Sequence, residues 1–217
     1  MNDLIQSIAV YALPVLFAIT LHEAAHAYAA KYFGDDTAFL QGRISLNPIK
    51  HIDPLGTIII PIALYIATQG AFLFGYAKPV PIDFRNLKNP KRDMLWVAFA
   101  GPAANFFMAL LWTILSIGLK FAQITEPFLM QMAQAGIFVN LLLFAFNLLP
   151  IPPLDGGRVL ISLLPHNIAV RVAQIEPYGF FIVMAMVAMN LVGFWMLPVV
   201  SIANGALQIL VSPLNFF

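Results

Sequence analysis

The stretch that decides the fold is LIQSIAVYALPVLFAITLHEAAHAYAA, residues 4–30 of the 217-residue chain. No charged side chain occurs between residues 4 and 21, and the whole run exceeds the roughly 20 residues that cross a bilayer as a helix. His22, Glu23 and His26 then follow in close succession. Ionisable groups inside an apolar helix are costly unless they are paired or bind a ligand. The segment therefore predicts a membrane helix that carries a polar site.

The composition of the whole chain agrees with a membrane setting. Hydrophobic residues make up 61% of the sequence and charged residues only 10%, whereas a soluble domain has about 25% charged residues. A net charge of +1 without a dense basic tract gives no reason to expect a nucleic-acid partner. The chain has no cysteine, which excludes disulfides and thiolate metal ligands. A metal site would have to use histidine, carboxylate or backbone oxygen.

Three further apolar runs are long enough to cross a bilayer, at about Met94–Leu119, Phe128–Leu149 and Tyr178–Val200. The last of them is followed by a weaker apolar segment to about Val211. A fifth run, Thr57–Phe74, is ambiguous because it is short and contains a proline. We predict an α-helical polytopic membrane protein with about four to six transmembrane helices. The expected domain is single, covering 1–217, with a catalytic core at about 4–160 and C-terminal helices at about 177–211.

The distribution of positive charge predicts the topology. Lys31–Lys50 and Lys78–Arg92 contain eight of the eleven lysine and arginine residues, and positively charged loops stay in the cytoplasm. Both loops are cytoplasmic only if Thr57–Phe74 enters the membrane and returns. We therefore expect a re-entrant element over about Phe39–Pro81 and an N-terminus outside the cytoplasm.

Part of that element has the pattern of a β-hairpin. Gln41–Asn47 alternates polar and apolar residues with a period of two, which is typical of a strand, and Pro48 ends it. Tyr76–Val80 is the expected partner, at an edge because it contains Pro79. The fold prediction thus includes a re-entrant, β-hairpin-like element.

The motif His22-Glu23-Ala24-Ala25-His26 has the spacing H-E-x-x-H. Side chains four residues apart lie on one face of a helix, so both imidazoles can bind one Zn²⁺ while Glu23 lies close to a water on the metal. An alternative interpretation is that these residues form polar contacts between helices or a proton relay.

A zinc site of this type needs a third protein ligand and an open position for water. Asp155 is one candidate, within Asn147-Leu-Leu-Pro-Ile-Pro-Pro-Leu-Asp155-Gly-Gly157. The prolines end a helix and the glycines permit a tight turn, so a carboxylate can be held at the helix end. An ordinary Asp-Gly-Gly turn accounts for the same residues. The other candidates are His51, Asp53, Asp83, His166 and Glu176.

Taken together, the two motifs resemble the site-2 protease family, which pairs an H-E-x-x-H helix with a later N-x-x-P-x-P-x-x-D-G segment. The chain matches the second pattern from Asn147 to Gly156 without a mismatch. Gly101-Pro-Ala-Ala-Asn105 is similar to the G-P-x-x-N helix that lies between the motifs in that family. The resemblance covers about residues 15–160 and is closest to a compact bacterial or archaeal type without a PDZ or CBS domain.

The resemblance implies an intramembrane zinc endopeptidase that acts within or near transmembrane segments of membrane proteins, in regulated intramembrane proteolysis. It implies one Zn²⁺ per chain, bound by His22, His26 and Asp155, with Glu23 as the general base. Asn147 would bind substrate or the oxyanion, or else only satisfy backbone groups at a broken helix end. The expected setting is multi-pass in the cell membrane, with the lipid bilayer and a transmembrane substrate as partners and the active site towards the cytoplasm.

Two other functions are compatible with the same residues. Intramembrane His, Glu and Asp residues also mark the paths of proton or metal transporters, but a transporter usually shows internal repeats, and none is visible in the sequence. A catalytically silent binder of transmembrane segments would not need Glu23.

Overall fold

The structure, a computed structural model, describes residues 2–60, 63, 66 and 78–216. The α-helices in this part of the chain are α1 Asn2–Phe33, α2 Thr37–Leu40, α3 Pro90–Phe121, α4 Pro127–Asn147, α5 Asp155–Leu163, α6 His166–Ala173, α7 Glu176–Ala188 and α8 Val192–Val211. A π-helix occupies Pro54–Ile59, and short 3₁₀ helices occupy Pro48–His51, Phe84–Asn86 and Ser212–Phe216.

The prediction of an α-helical polytopic membrane protein is confirmed. Within the described residues, four helices are long and apolar enough to cross a membrane, at Ile5–Phe33, Pro90–Phe121, Pro127–Asn147 and Val192–Leu214. Helices α6 and α7, bent by 67° relative to each other, provide a fifth candidate if they are counted as one span. Large apolar side chains on these helices face outward, as Phe194 shows at 82% exposure, because lipid tails and not water surround them.

Helix α3 is central in the bundle, since it packs against α1, α4, α5 and α8. Small residues allow these helices to approach closely. A Cβ atom added to Gly136 on α4 would lie 2.5 Å from Cε2 of Trp112 on α3. Ala109 of α3 packs with Leu141 of α4 and Leu207 of α8 in one buried cluster. Such close packing is the usual source of helix association in lipid, where burial of apolar surface contributes little.

The predicted fourth span, Tyr178–Val200, has the wrong bounds. Helix α7 ends at Ala188 and α8 begins at Val192, so the break lies inside the predicted span. Asn190 takes the left-handed conformation with φ of 57°, and Leu191 N–H donates to Met186 O at 2.8 Å. This is a Schellman-type helix end, and asparagine accepts the left-handed backbone better than most residues. The segment to Val211 that was predicted as a weaker extension is the second half of α8.

The predicted strand at Gln41–Asn47 is also wrong, since the described residues contain no strand. Gly42 turns the chain with φ of 62°, and the Gly42 and Arg43 N–H groups donate to Phe39 O and Ala38 O. The backbone groups are used locally, so a period of two in the side chains is not enough to form a ladder. Tyr76 and Ala77 of the expected partner strand lie outside the described residues, as does most of the proposed re-entrant run Thr57–Phe74.

Candidate metal centre

His22 and His26 lie one turn apart on α1, and both side chains are buried. Their Nε2 atoms are 3.0 Å apart. Oδ2 of Asp155 lies 3.1 Å from His22 Nε2 and 3.3 Å from His26 Nε2. The structure therefore brings the three sequence-predicted metal ligands into one group. Ligand atoms about 2.1 Å from a tetrahedral zinc ion are separated by roughly 3.4 Å, close to these distances.

The proton on the His22 ring is placed by Asn105 of α3. His22 Nδ1 lies 2.6 Å from Asn105 Oδ1. The amide nitrogen of Asn105 donates to Ala18 O at 3.2 Å and to Asn140 Oδ1 at 3.1 Å, which fixes the oxygen towards His22. The amide oxygen can only accept, so His22 Nδ1 carries the proton and Nε2 presents a lone pair to Asp155.

His26 is oriented in the same way by a backbone carbonyl. Its Nδ1 lies 2.7 Å from Val97 O, which can only accept a hydrogen bond. Asp155 Oδ2 is buried and has no hydrogen-bond partner among the described residues. Two Nε2 lone pairs and a carboxylate oxygen thus face one point. A single proton there could satisfy only two of the three atoms, whereas a metal ion satisfies all three. The donor set fits a divalent metal such as zinc.

Gly101 of α3 forms the wall of the site opposite the imidazoles. A Cβ atom at this position would lie 2.6 Å from His22 Nε2 and closer still to His26 Nε2. Any side chain would push the rings or α3 aside. Gly101 and Asn105 stood out in the sequence as one segment similar to the G-P-x-x-N helix, but the contact of Asn105 with His22 was not predicted. The spacing of four residues, which puts both on one face of α3, was the available signal.

Asp155 stands in the first turn of α5, where the helix dipole favours a carboxylate. Gly156 and Gly157 follow it, and a Cβ on either would collide with backbone of the preceding turn, at Leu149 O (2.5 Å) and Pro152 Cα (2.7 Å) respectively. Neither glycine has a positive φ. Glycine is therefore needed at both positions because there is no room for a Cβ atom, and not because the backbone is left-handed. A carboxylate binds a metal ion in its ionised form.

Glu23 is half-buried and has a different partner. Its Oε2 accepts a hydrogen bond from the backbone N–H of Val80 at 2.8 Å. Val80 packs against Ala27 and Ala38, and the Arg43 guanidinium holds the neighbouring carbonyl of Lys78 at 3.0 Å. This contact was not predicted from the sequence. Its only signal was the Pro-Val-Pro order at 79–81, since the flanking prolines leave Val80 as the donor between them.

Asn147 lies at the end of α4 and is half-buried. Its Nδ2 donates to Leu143 O at 3.1 Å, one turn back in the same helix. This contact agrees with the helix-end alternative. A role for Asn147 towards substrate stays a prediction.

A bundle of membrane-spanning helices that encloses a His-His-Asp centre beside a glutamate defines a class, the membrane-embedded metal-dependent hydrolases. Comparison with known proteins narrows this class. The profile of Peptidase family M50 matches residues 122–189, which include Asp155. No solved structure matches the chain significantly.

Curated relatives extend the match over nearly the whole chain. YwhC of Bacillus subtilis, named as a candidate zinc metalloprotease, is 37% identical over 205 residues, which cover 92% of this chain and 90% of YwhC. Rip2 of Mycolicibacterium smegmatis, named in the same way, is 31% identical over 85% of this chain and 69% of its own length. The chain belongs to Peptidase family M50 and is a membrane metalloprotease. This membership supports the resemblance to site-2 proteases and gives no support to a transporter.

Proposed function

We propose that the protein is an intramembrane zinc endopeptidase in which His22, His26 and Asp155 hold one zinc ion per chain. The observation that carries the proposal is the convergence of two Nε2 lone pairs and one unpartnered carboxylate oxygen within 3.3 Å of one another. Three buried acceptors repel each other without a cation between them. The substrates are peptide bonds within or near transmembrane segments, because both histidines lie on a helix that is itself apolar enough to span a membrane.

Bound zinc supplies Lewis-acid polarisation of a carbonyl and lowers the pKa of a water at the site. Glu23 accepts the proton of the attacking water and later donates it to the leaving amine. The Val80 N–H holds one Glu23 oxygen, which leaves the other oxygen to face the water. Asn147, once released from Leu143 O, is the donor assigned to the oxyanion.

The test of this function is cleavage of a transmembrane reporter substrate by the purified full-length protein in detergent, with zinc measured in the same sample. We expect about one zinc per chain, loss of cleavage with a chelator, and recovery when zinc is added back. Glu23→Gln should retain zinc, while cleavage falls by about 100-fold or more. Full cleavage after complete removal of zinc, or by Glu23→Gln, would refute the proposal.

We extend the proposal to the topology, with the N-terminus outside the cytoplasm and Lys78–Arg92 inside. Three ligands that share one metal require an even number of crossings between His26 and Asp155, and helices α3 and α4 provide two. His22 lies about 27 Å along α1 from Leu4, at 1.5 Å per residue, which supports a site towards the cytoplasmic face when the N-terminus is outside the cytoplasm. Cysteines placed singly at Asn2, Asn86 and Gln123 test this with an impermeant thiol reagent on intact cells. Positions 2 and 123 should be labelled and position 86 should not, and the reverse pattern would exclude this topology.

All of 1–217 forms one domain in this proposal. Its catalytic core is about 4–160, and the C-terminal helices at about 177–211 support it. In favour of a single domain, Ala203 and Leu207 of α8 share a buried cluster with Ala109 of α3, the helix that also contacts both histidines.

A further inference from the structure

A cleft of about 530 Å³ lies between the C-terminal end of α1 and the N-terminal end of α3. Its size is within the usual range of roughly 300–1,000 Å³ for ligand sites. Tyr32, Lys88, Arg92 and Trp96 are among the residues that line it. None of the three candidate metal ligands is part of this wall, so the cleft is separate from the metal centre.

The cleft carries an excess of positive charge. Within the described part of the chain, neither Lys88 nor Arg92 forms an ion pair with a carboxylate. Asp93 is the acidic residue of the wall, but it is buried, and its Oδ2 accepts the Asn89 N–H at 2.7 Å. The Asn89 side chain does not cap α3, and Asp93 in the first turn offsets the positive end of the helix dipole. Lys88 and Arg92 therefore supply the positive charge of the cleft.

Two aromatic rings complete the cleft at the level where the helices leave the membrane. Tyr32 is 77% exposed and Trp96 is 50% exposed. They lie near the ends of the candidate spans Ile5–Phe33 and Pro90–Phe121. Exposed tyrosine and tryptophan at the end of a span sit among lipid headgroups. Cations beside such rings at a membrane surface are complementary to a lipid with a negative headgroup.

We propose that this cleft binds the headgroup of an anionic phospholipid. The phosphate lies between Lys88 and Arg92, where the guanidinium donates two parallel hydrogen bonds, and the acyl chains run along the exposed face of Trp96. Because the bound lipid touches the ends of both α1 and α3, it ties together the two helices that meet at Gly101. Lipid binding therefore stabilises the helix pair on which the metal centre depends.

The test uses delipidated full-length protein in a non-ionic detergent, titrated with short-chain phosphatidylglycerol or phosphatidylcholine and followed by native mass spectrometry and thermal unfolding. The double variant Lys88→Gln/Arg92→Gln removes both cations. Its matched control, Lys50→Gln/Arg171→Gln, makes the same change of net charge at exposed positions outside the cleft. Inorganic phosphate is added as a competitor, to distinguish a lipid from a free anion.

We expect phosphatidylglycerol to bind more tightly than phosphatidylcholine and to raise the unfolding temperature of the wild type. Loss of both cations should weaken phosphatidylglycerol binding roughly 25-fold, about fivefold for each cation, while the control pair stays within about twofold of wild type. Equal binding of the two lipids, or unchanged phosphatidylglycerol binding by the cleft variant, would overturn the proposal. Competition by inorganic phosphate at the same concentration as the lipid would overturn the lipid assignment.

A second readout does not depend on the folding of the charge variants. Trp96 lines the cleft, whereas Trp112 is buried and Trp195 donates its indole N–H to Ala145 O. Brominated phosphatidylglycerol should quench the tryptophan fluorescence of the wild type more than brominated phosphatidylcholine does. Trp96→Phe should abolish that difference. Preferential quenching that persists in Trp96→Phe would place the lipid elsewhere.

Discussion

Different parts of the protein position the two histidines and Glu23, although His22, Glu23 and His26 lie within about one turn of α1. The histidines are fixed by the neighbouring span α3, through Asn105 and the carbonyl of Val97. Glu23 is fixed by the backbone of Val80, in an irregular segment outside the long helices. The metal ligands and the proposed acid/base thus have separate supports. Substitutions in one support should therefore affect metal binding, and substitutions in the other should affect turnover alone.

Gly101→Ala should have the largest effect, because its Cβ would collide with both imidazoles. We expect loss of most bound zinc and, with it, loss of cleavage, both measured on the purified protein. Gly118→Ala on the same helix is the control, since nothing lies within 4 Å of the Cβ it adds. That variant should keep zinc and gain about 0.5–1 kcal/mol of helix stability. Full zinc in Gly101→Ala would show that α3 does not confine the histidines.

Asn105→Ala should have the next largest effect, because His22 loses the acceptor that fixes its ring and tautomer. Removing such a partner lowers metal affinity by about 10- to 100-fold. Competition with a zinc chelator measures this change. Asn105→Asp keeps an acceptor for the His22 N–H and should recover part of the affinity. If both variants bound zinc like the wild type, the Asn105 contact would be irrelevant to the metal.

Val80→Pro tests the other support. It removes the N–H that Glu23 accepts but leaves every proposed metal ligand in place. We expect retained zinc and a fall in kcat of about tenfold, which corresponds to one hydrogen bond to a charged group. Val80→Ala keeps the N–H and loses only packing, so its kcat should stay near that of the wild type. Equal kcat values for the two variants would remove Val80 from the positioning of Glu23.

We expect the smallest effect from substitution of Asp35. Its carboxylate holds the segment that contains Val80, because it accepts a hydrogen bond from the backbone N–H of Asp83. Its buried carboxylate accepts from Thr37 N (3.0 Å), Asp83 N (2.8 Å) and Asn86 Nδ2 (3.2 Å), and from the Thr37 hydroxyl. Burial raises the pKa of Asp35, but the hydrogen bonds, led by those from Thr37, outweigh it and lower the pKa below its ordinary value.

A lowered pKa means that the Asp35 contribution to stability is complete above about pH 4 and is lost as the pH falls through the folded-state pKa. Asp35→Asn should cost about 1–3 kcal/mol at pH 7. The difference in unfolding temperature between wild type and variant should shrink below about pH 4. A constant difference across that range would mean that the ionised carboxylate does not contribute.

The residues of the site that could be predicted are those that belong to a local sequence motif. His22, Glu23 and His26 are set by the spacing on one helix, and the segment around Asp155 carried enough prolines and glycines to stand out. Asn105 stood out in the sequence as part of a motif, but its contact with His22 could not be predicted, because that contact depends on the rotation of α3 relative to α1. The Val80 contact was missed for the same reason, since a backbone donor leaves almost no trace in the sequence.

The fold showed the same limit. The long apolar runs predicted α1, α3 and α4 within a few residues. The break at Asn190 was missed because the run around it stays apolar and contains no proline at that point, so only the left-handed backbone of one residue separates α7 from α8. The pattern at Gln41–Asn47 was strand-like, but strand formation requires a partner with free backbone groups, which residue periodicity does not reveal.

The most direct test of the account is zinc-edge X-ray absorption on the variant Asp155→Cys. The chain contains no cysteine, so any zinc–thiolate distance in the spectrum must come from position 155. We predict that the variant retains zinc with one sulfur at about 2.3 Å and two imidazole nitrogens at about 2.0–2.1 Å, whereas the wild type shows no sulfur. A spectrum of retained zinc with two imidazoles and no sulfur would show that position 155 is not a ligand, and would contradict the His-His-Asp centre.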